Sequence, residues 1–116
     1  VHSVERITNA KIKWSIPHIS PGLNNDDSCT KLIIESAQSV LSAENVELMK
    51  ESSMGGEDFA YYLEKIPGAY FRIGCFDGKT RDIHTNDFNI DEHCMMTAIK
   101  VFSEIVKQYF ILNRES

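Results

Sequence analysis

The chain has 116 residues, of which 42% are hydrophobic and 25% charged, and these values predict one globular domain. Its 12 basic and 17 acidic residues give a net charge of −5, and an acidic chain without a basic run is poorly suited to binding nucleic acid. Three cysteines without Cys-x-x-Cys spacing argue against a disulfide framework or zinc ribbon and favour a reducing, cytoplasmic setting. No apolar run approaches the ~18 residues that a membrane span needs.

The first predicted strand covers 10–16, after a short apolar spacing at Val4 and Ile7 that fits the last turn of a helix. Apolar side chains alternate with polar ones along this strand, so one face lies on a core and the other in water. The apolar set is Ala10, Ile12, Trp14 and Ile16. Pro17 and the run over 20–27 then break all periodicity, which indicates a loop and a candidate domain boundary.

The remaining chain alternates between helices and strands. Helices are predicted over 28–42, 57–66 and 91–112 from apolar stripes at helical spacing. Strands are predicted over 46–50 and 69–75, the second apolar on both faces except at Arg72 and therefore central in a sheet. This order predicts an α/β layer. Two strands make a poor sheet, so either the strand over 10–16 joins them or partner strands lie outside this chain.

Two segments carry residue types that do chemistry. Gly55, Gly56, Glu57 and Asp58 lie at a predicted strand-to-helix turn, where free N–H groups favour a substrate carboxylate. In the structural alternative the two acids only complement the helix dipole. His84 follows a predicted buried strand, and a neutral imidazole there suits a zinc ion. In the structural alternative His84 is a solvated loop residue.

Four motifs, in this order and spacing, resemble the C-terminal end of the metal-dependent amidohydrolases: GGEDFAYYL (55–63), IPGAYFRIG (66–74), IHTNDF (83–88) and Asp91-Glu92. This family of metallopeptidases includes hippurate hydrolase, N-acyl-amino-acid amidohydrolase and the aminoacylase/carboxypeptidase relatives. The segment PGLNND (21–26) resembles the point where such chains leave the lid domain and re-enter the catalytic domain. The resemblance covers nearly the whole chain.

The resemblance implies an α/β catalytic domain that holds two divalent metal ions, zinc or manganese, and an inserted lid domain that also forms the dimer. It implies cleavage of the amide bond of N-acyl amino acids or small peptides. By position, His84 matches a metal ligand, and Gly55, Gly56, Glu57 and Asp58 match the substrate-binding loop. Residues 1–19 would be the C-terminal remnant of the lid, ending in one strand, and residues 20–116 the closing helix–strand segment of the catalytic domain.

The sequence departs from the family in lacking its N-terminal metal ligands and the paired glutamates, one of which is the general base. The chain therefore looks like a fragment, which we expect to be inactive alone and to bind no metal stably. Its expected partners are a second copy or the missing N-terminal portion. The alternatives are a non-catalytic α/β interaction module or the subunit of a split enzyme. A thiol hydrolase based on Cys75 and His84 is supported only by their proximity in sequence.

Overall fold

The structure is a computed structural model that describes residues 1–17, 21–51 and 55–114. It contains four α-helices: α1 (His2–Thr8), α2 (Asp27–Leu41), α3 (Ala60–Leu63) and α4 (His93–Leu112). A 3₁₀ turn, Ala43–Asn45, follows α2. The helices predicted over 28–42 and 91–112 are confirmed to within two residues, whereas the helix predicted over 57–66 is reduced to the four-residue α3.

Helix α2 begins after Asp26, whose side chain accepts a hydrogen bond from a free backbone N–H of the first turn. The carboxylate of Asp26 accepts a hydrogen bond from the N–H of Cys29 at 2.9 Å, and the Ser28 hydroxyl donates to the same oxygen. These hydrogen bonds, the one from Ser28 foremost, lower the pKa of the Asp26 carboxyl. The helix ends at Ser42, whose φ of 67° breaks the helical backbone.

The core is small and lies where α2 packs against α4. Among the described residues only three apolar side chains are buried: Ala37 of α2, Ala60 of α3 and Val101 of α4. The radius of gyration is 20.5 Å, compared with about 13 Å for a compact domain of ~100 residues. The chain is therefore extended and leaves much apolar surface in contact with solvent.

The α/β prediction is wrong, because the described residues form no strand. A strand requires a ladder of backbone hydrogen bonds to a neighbour, and no such ladder forms at 10–16, 46–50 or 69–75. Periodicity describes which side chains share a face of a segment, but it contains no information on whether a pairing partner or a covering layer is present. The described residues therefore form neither the alternating helix–strand architecture predicted for 20–116 nor the lid-domain strand predicted before it.

Side-chain contacts hold the segment 69–75 in place of a ladder. The Asn25 side chain donates to the carbonyl of Tyr70 and accepts from its N–H, both at 2.9 Å. Next to this pair, the N–H of Asp26 donates to the carbonyl of Gly68 at 2.9 Å. The segment is not covered on both sides, because Phe71, Ile73 and Cys75 are half-buried while the residues between them are exposed.

The predicted strand over 10–16 is exposed along its whole length, and α1 precedes it as the spacing of Val4 and Ile7 predicts. The predicted boundary between residues 19 and 20 lies outside the described residues, as do residues 52–54 before the predicted substrate-binding segment. No helix in the described part of the chain has the length and apolar character needed to cross a membrane.

Candidate functional site

The predicted substrate-binding segment 55–58 lies directly before α3. Gly55, Gly56 and Asp58 are exposed, and Glu57 is half-buried. A carboxylate oxygen of Glu57 accepts from the N–H of Phe59 at 3.2 Å. Glu57 thereby satisfies a free backbone N–H just before α3.

His84 lies in a long loop whose ends are held together. The N–H of Asp91 donates to the carbonyl of Cys75 at 2.9 Å, so the loop over 76–90 closes on itself as an Ω-loop does. Within it, the Thr85 hydroxyl donates to the carbonyl of Asp82 at 2.7 Å, and the N–H of Phe88 to the carbonyl of Thr85 at 3.2 Å. These bonds form the turn that presents His84.

An ion pair stabilises the base of this loop. The Arg81 guanidinium donates to the Asp77 carboxylate, and their side chains are only 14% and 17% exposed. The same carboxylate accepts from the N–H of Lys79 at 3.1 Å. The hydrogen bond from Arg81 is the main reason why the pKa of Asp77 is lowered. Gly78, with a φ of 92°, permits the sharp turn between the two partners.

A second carboxylate caps the helix that follows the loop. Asp91 accepts from the backbone N–H of His93 at 3.0 Å and contacts the His93 ring at 2.8 Å. The backbone hydrogen bond, followed by the contact with the ring, lowers the pKa of Asp91, whereas the nearby charge of Asp77 raises it. The His84 loop is thus bounded by two ordered carboxylates.

His84 itself is exposed and has a φ of 69°. That left-handed conformation is uncommon outside glycine, although histidine is among the residues enriched in it. In the part of the chain that the structure describes, no hydrogen bond reaches the His84 ring, neither from Asp82 nor from Asp87. The ring is therefore accessible to a ligand supplied from elsewhere.

The described residues do not by themselves provide a metal centre. They contain no group of three or more His, Cys, Asp or Glu side chains that could hold a metal ion. Zinc sites in proteins use three or four protein ligands, so a single exposed imidazole does not fit a complete site. Neither a hydrogen bond nor an ion pair joins His84 to Glu57 or Asp58.

Sequence reasoning missed two contributors to this geometry. Asn25 fixes the segment leading to the loop, but an amide in a loop gives no signal of a partner 45 residues away. The pair formed by Asp77 and Arg81 carried a weak signal, since opposite charges four residues apart flank a glycine.

The model of peptidase family M20/M25/M40 matches residues 3–108. The chain belongs to this family. Membership confirms the resemblance to the amidohydrolases and makes the chain part of a hydrolase family whose members are generally metal-dependent. No solved structure matches the chain.

Three relatives show how much of a family member the chain represents. It is 38% identical over 108 residues to the N-acetyl-L-cysteine deacetylase of Bacillus subtilis, covering 92% of this chain and 24% of that protein. It is 32% identical over 93 residues to a Synechocystis protein named as a hydrolase, which covers 78% of this chain and 24% of that protein. It is 37% identical over 101 residues to a Rhodococcus jostii protein named as a glutamate–cysteine ligase, which covers 85% of this chain and 13% of that protein. The M20 chain thus spans a quarter or less of these relatives.

Proposed function

We propose that this chain is the C-terminal part of a metal-dependent amidohydrolase that cleaves the amide bond of N-acyl amino acids or small peptides, and that alone it is inactive. The observation that carries the proposal is the family match over residues 3–108, together with 38% identity to a deacetylase of an N-acetylated amino acid. Coverage of 24% of that relative supports the view that the remaining catalytic groups lie outside these residues.

Within the intact enzyme, His84 supplies one ligand to a centre of two divalent ions, zinc or manganese. Its exposure, the absence of a hydrogen bond to its ring from the residues that the structure describes, and its position on a closed loop support this role. The ions supply Lewis acidity when bound. The pair formed by Asp77 and Arg81 stabilises the base of the loop, and segment 55–58 lines the substrate pocket.

The resemblance implies that the general base is one of two adjacent glutamates, and since the sequence contains no Glu-Glu pair, this base would come from outside the chain. The chain's partners are an N-acyl amino acid or small peptide in the intact enzyme, and a second copy or the missing N-terminal portion for the chain alone. Residues 1–19 are the end of the lid and residues 20–116 the end of the catalytic part.

The test is hydrolysis of N-acetyl amino acids with added manganese or zinc, measured on two proteins. The 116-residue chain alone should show no turnover. A chimera in which it replaces the matched 24% of the B. subtilis deacetylase should show metal-dependent turnover. In the chimera, His84→Ala should lower turnover by more than the 10–100-fold typical of changes next to a ligand, together with a loss of bound metal.

His93→Ala is the matched control, since it removes another exposed imidazole, on α4 rather than in the loop. It should retain activity within a few-fold. Robust metal-dependent turnover by the chain alone would refute the fragment hypothesis, and full activity of the His84→Ala chimera would refute the role of His84.

A further inference from the structure

The backbone of His84 has a conformation that non-glycine residues seldom adopt. Among the described residues, three other than glycine have a positive φ: Asn9, Ser42 and His84. Asn9 and Ser42 directly follow α1 and α2, where a positive φ is a common way to end a helix. His84 ends no helix, so its φ of 69° needs another explanation. Such a conformation persists only where the contacts around it hold it in place.

The explanation is a turn over 82–85, in which His84 is the third residue. The Thr85 hydroxyl joins the two ends of this turn, because it donates to the carbonyl of Asp82 at 2.7 Å. Ile83, the second residue, has no positive φ. A positive φ at the third residue alone is the arrangement of a type II turn, and glycine is usual there because it carries no steric penalty.

Thr85 is tied to the loop on both sides of its backbone. Its hydroxyl holds Asp82, and its own carbonyl accepts from the N–H of Phe88 at 3.2 Å. Thr85 therefore joins the turn before it to the turn after it. Without the hydroxyl, the chain around His84 could relax to the negative φ that a histidine prefers.

The turn lies on an ordered base, so a change at Thr85 acts locally. The base is closed by the hydrogen bond between Asp91 and the Cys75 carbonyl and by the half-buried ion pair of Asp77 and Arg81. Neither contact involves the Thr85 side chain. Loss of the Thr85 hydroxyl should therefore change the direction of the His84 side chain and leave the loop attached to α4.

We propose that Thr85 is a positioning residue for His84. Its hydroxyl keeps the turn closed, the closed turn fixes the positive φ, and that φ sets the direction in which the imidazole leaves the loop. A metal ligand must be held close to its productive geometry, and groups that orient a ligand typically contribute 10–100-fold to metal affinity. The proposal rests on the proposed function only in taking the imidazole as a metal ligand.

NMR of the isolated chain without metal tests the first step. At positive φ the amide and α protons of one residue are closer than at negative φ, so His84 should give a stronger intraresidue NOE than Ile83. Thr85→Val removes the hydroxyl and should weaken the His84 signal to the level of Ile83, whereas Thr85→Ser should retain it. Thr80→Val is the matched control, at an exposed threonine of the same loop. An unchanged signal in Thr85→Val, or an equal loss in Thr80→Val, would overturn the proposal.

Glycine and alanine variants test the same conformation through stability. At position 84 the glycine variant should have an unfolding constant about fivefold smaller than the alanine variant, because only alanine is penalised at positive φ. At Ile83 the order should reverse, since glycine there only adds freedom to the unfolded chain. Urea unfolding measures the four constants. The same order at both positions would overturn the proposal.

Metal affinity in the chimera with the B. subtilis deacetylase tests the second step. Equilibrium dialysis against manganese reports binding independently of turnover. Thr85→Val should weaken binding about 10–100-fold, whereas Thr85→Ser and Thr80→Val should change it less than about threefold. Unchanged affinity in Thr85→Val, in a chimera that loses its metal with His84→Ala, would overturn this proposal alone. Metal retained by His84→Ala would overturn both this proposal and the role of His84 in the proposed function.

Discussion

At the scale of single residues, the Asn25 side chain makes the backbone hydrogen bonds to Tyr70 that a neighbouring strand would make in a sheet. Its amide both donates to and accepts from the backbone of Tyr70. Asn25→Ala should therefore lower the free energy of unfolding by about 1–2 kcal/mol, the net value of two hydrogen bonds. Urea unfolding measures this change. Asn24→Ala, at an exposed neighbouring amide, should have little effect, and equal losses in the two variants would contradict the role of Asn25.

The ion pair at the base of the His84 loop predicts a dependence on pH. The hydrogen bond from Arg81 lowers the pKa of Asp77 in the folded chain. A lowered folded-state pKa stabilises the fold above the unfolded-state pKa, near 4 for Asp, and this stabilisation is lost as the pH falls through the folded-state value. Asp77→Asn should therefore destabilise the chain at pH 7, and its difference from the unmodified chain should shrink below about pH 4.

Urea unfolding between pH 7 and 3 measures that difference. Asp82→Asn is the matched control, because it removes an exposed acid in the same loop. It should leave the free energy of unfolding unchanged at each pH. If the difference in free energy of unfolding between Asp77→Asn and the unmodified chain stays constant from pH 7 to 3, the charge of the Asp77 carboxylate does not account for the stabilisation.

At the scale of elements, α4 stabilises the fold through one narrow face. Val101 is 2% exposed and Val106, on the same helix, is 54% exposed. Val101→Ala should cost about 2 kcal/mol, from lost burial and the cavity left behind. Val106→Ala should cost less than about 0.5 kcal/mol. Thermal and urea unfolding of both variants measure these losses. Similar losses of unfolding free energy in Val101→Ala and Val106→Ala would contradict the packing of α2 on α4.

The helices could be predicted from the sequence and the strands could not, for a physical reason. A helix such as α2 satisfies its backbone internally, so its stripe and the Asp26 cap suffice to locate it. A strand satisfies its backbone through another segment, and the apolar run over 69–75, which predicted a strand covered on both faces, contains no information on whether a partner is present. For the same reason, the sequence singled out His84 but not the backbone hydrogen bond from Asp91 to Cys75 that closes its loop.

At the scale of the whole molecule, α4 presents an apolar seam to solvent. Its side chains follow the 4-3-4-3 spacing of a helix–helix contact and are each more than half exposed: Met95, Ile99, Phe102, Val106 and Tyr109. These side chains stay more than half exposed although Phe102, Val106 and Tyr109 border a groove that α2 also lines, where the ring centroid of Phe102 lies 5.2 Å from that of Phe71.

This seam predicts that the isolated chain forms a dimer or a larger species, because an exposed apolar stripe of this spacing pairs with another helix. Light scattering over a range of concentrations should show a mass above that of the monomer. Ile99→Glu combined with Val106→Glu should shift the mass towards the monomer, whereas Lys100→Glu, at an exposed charged position, should not. A clean monomer at high concentration would contradict the prediction.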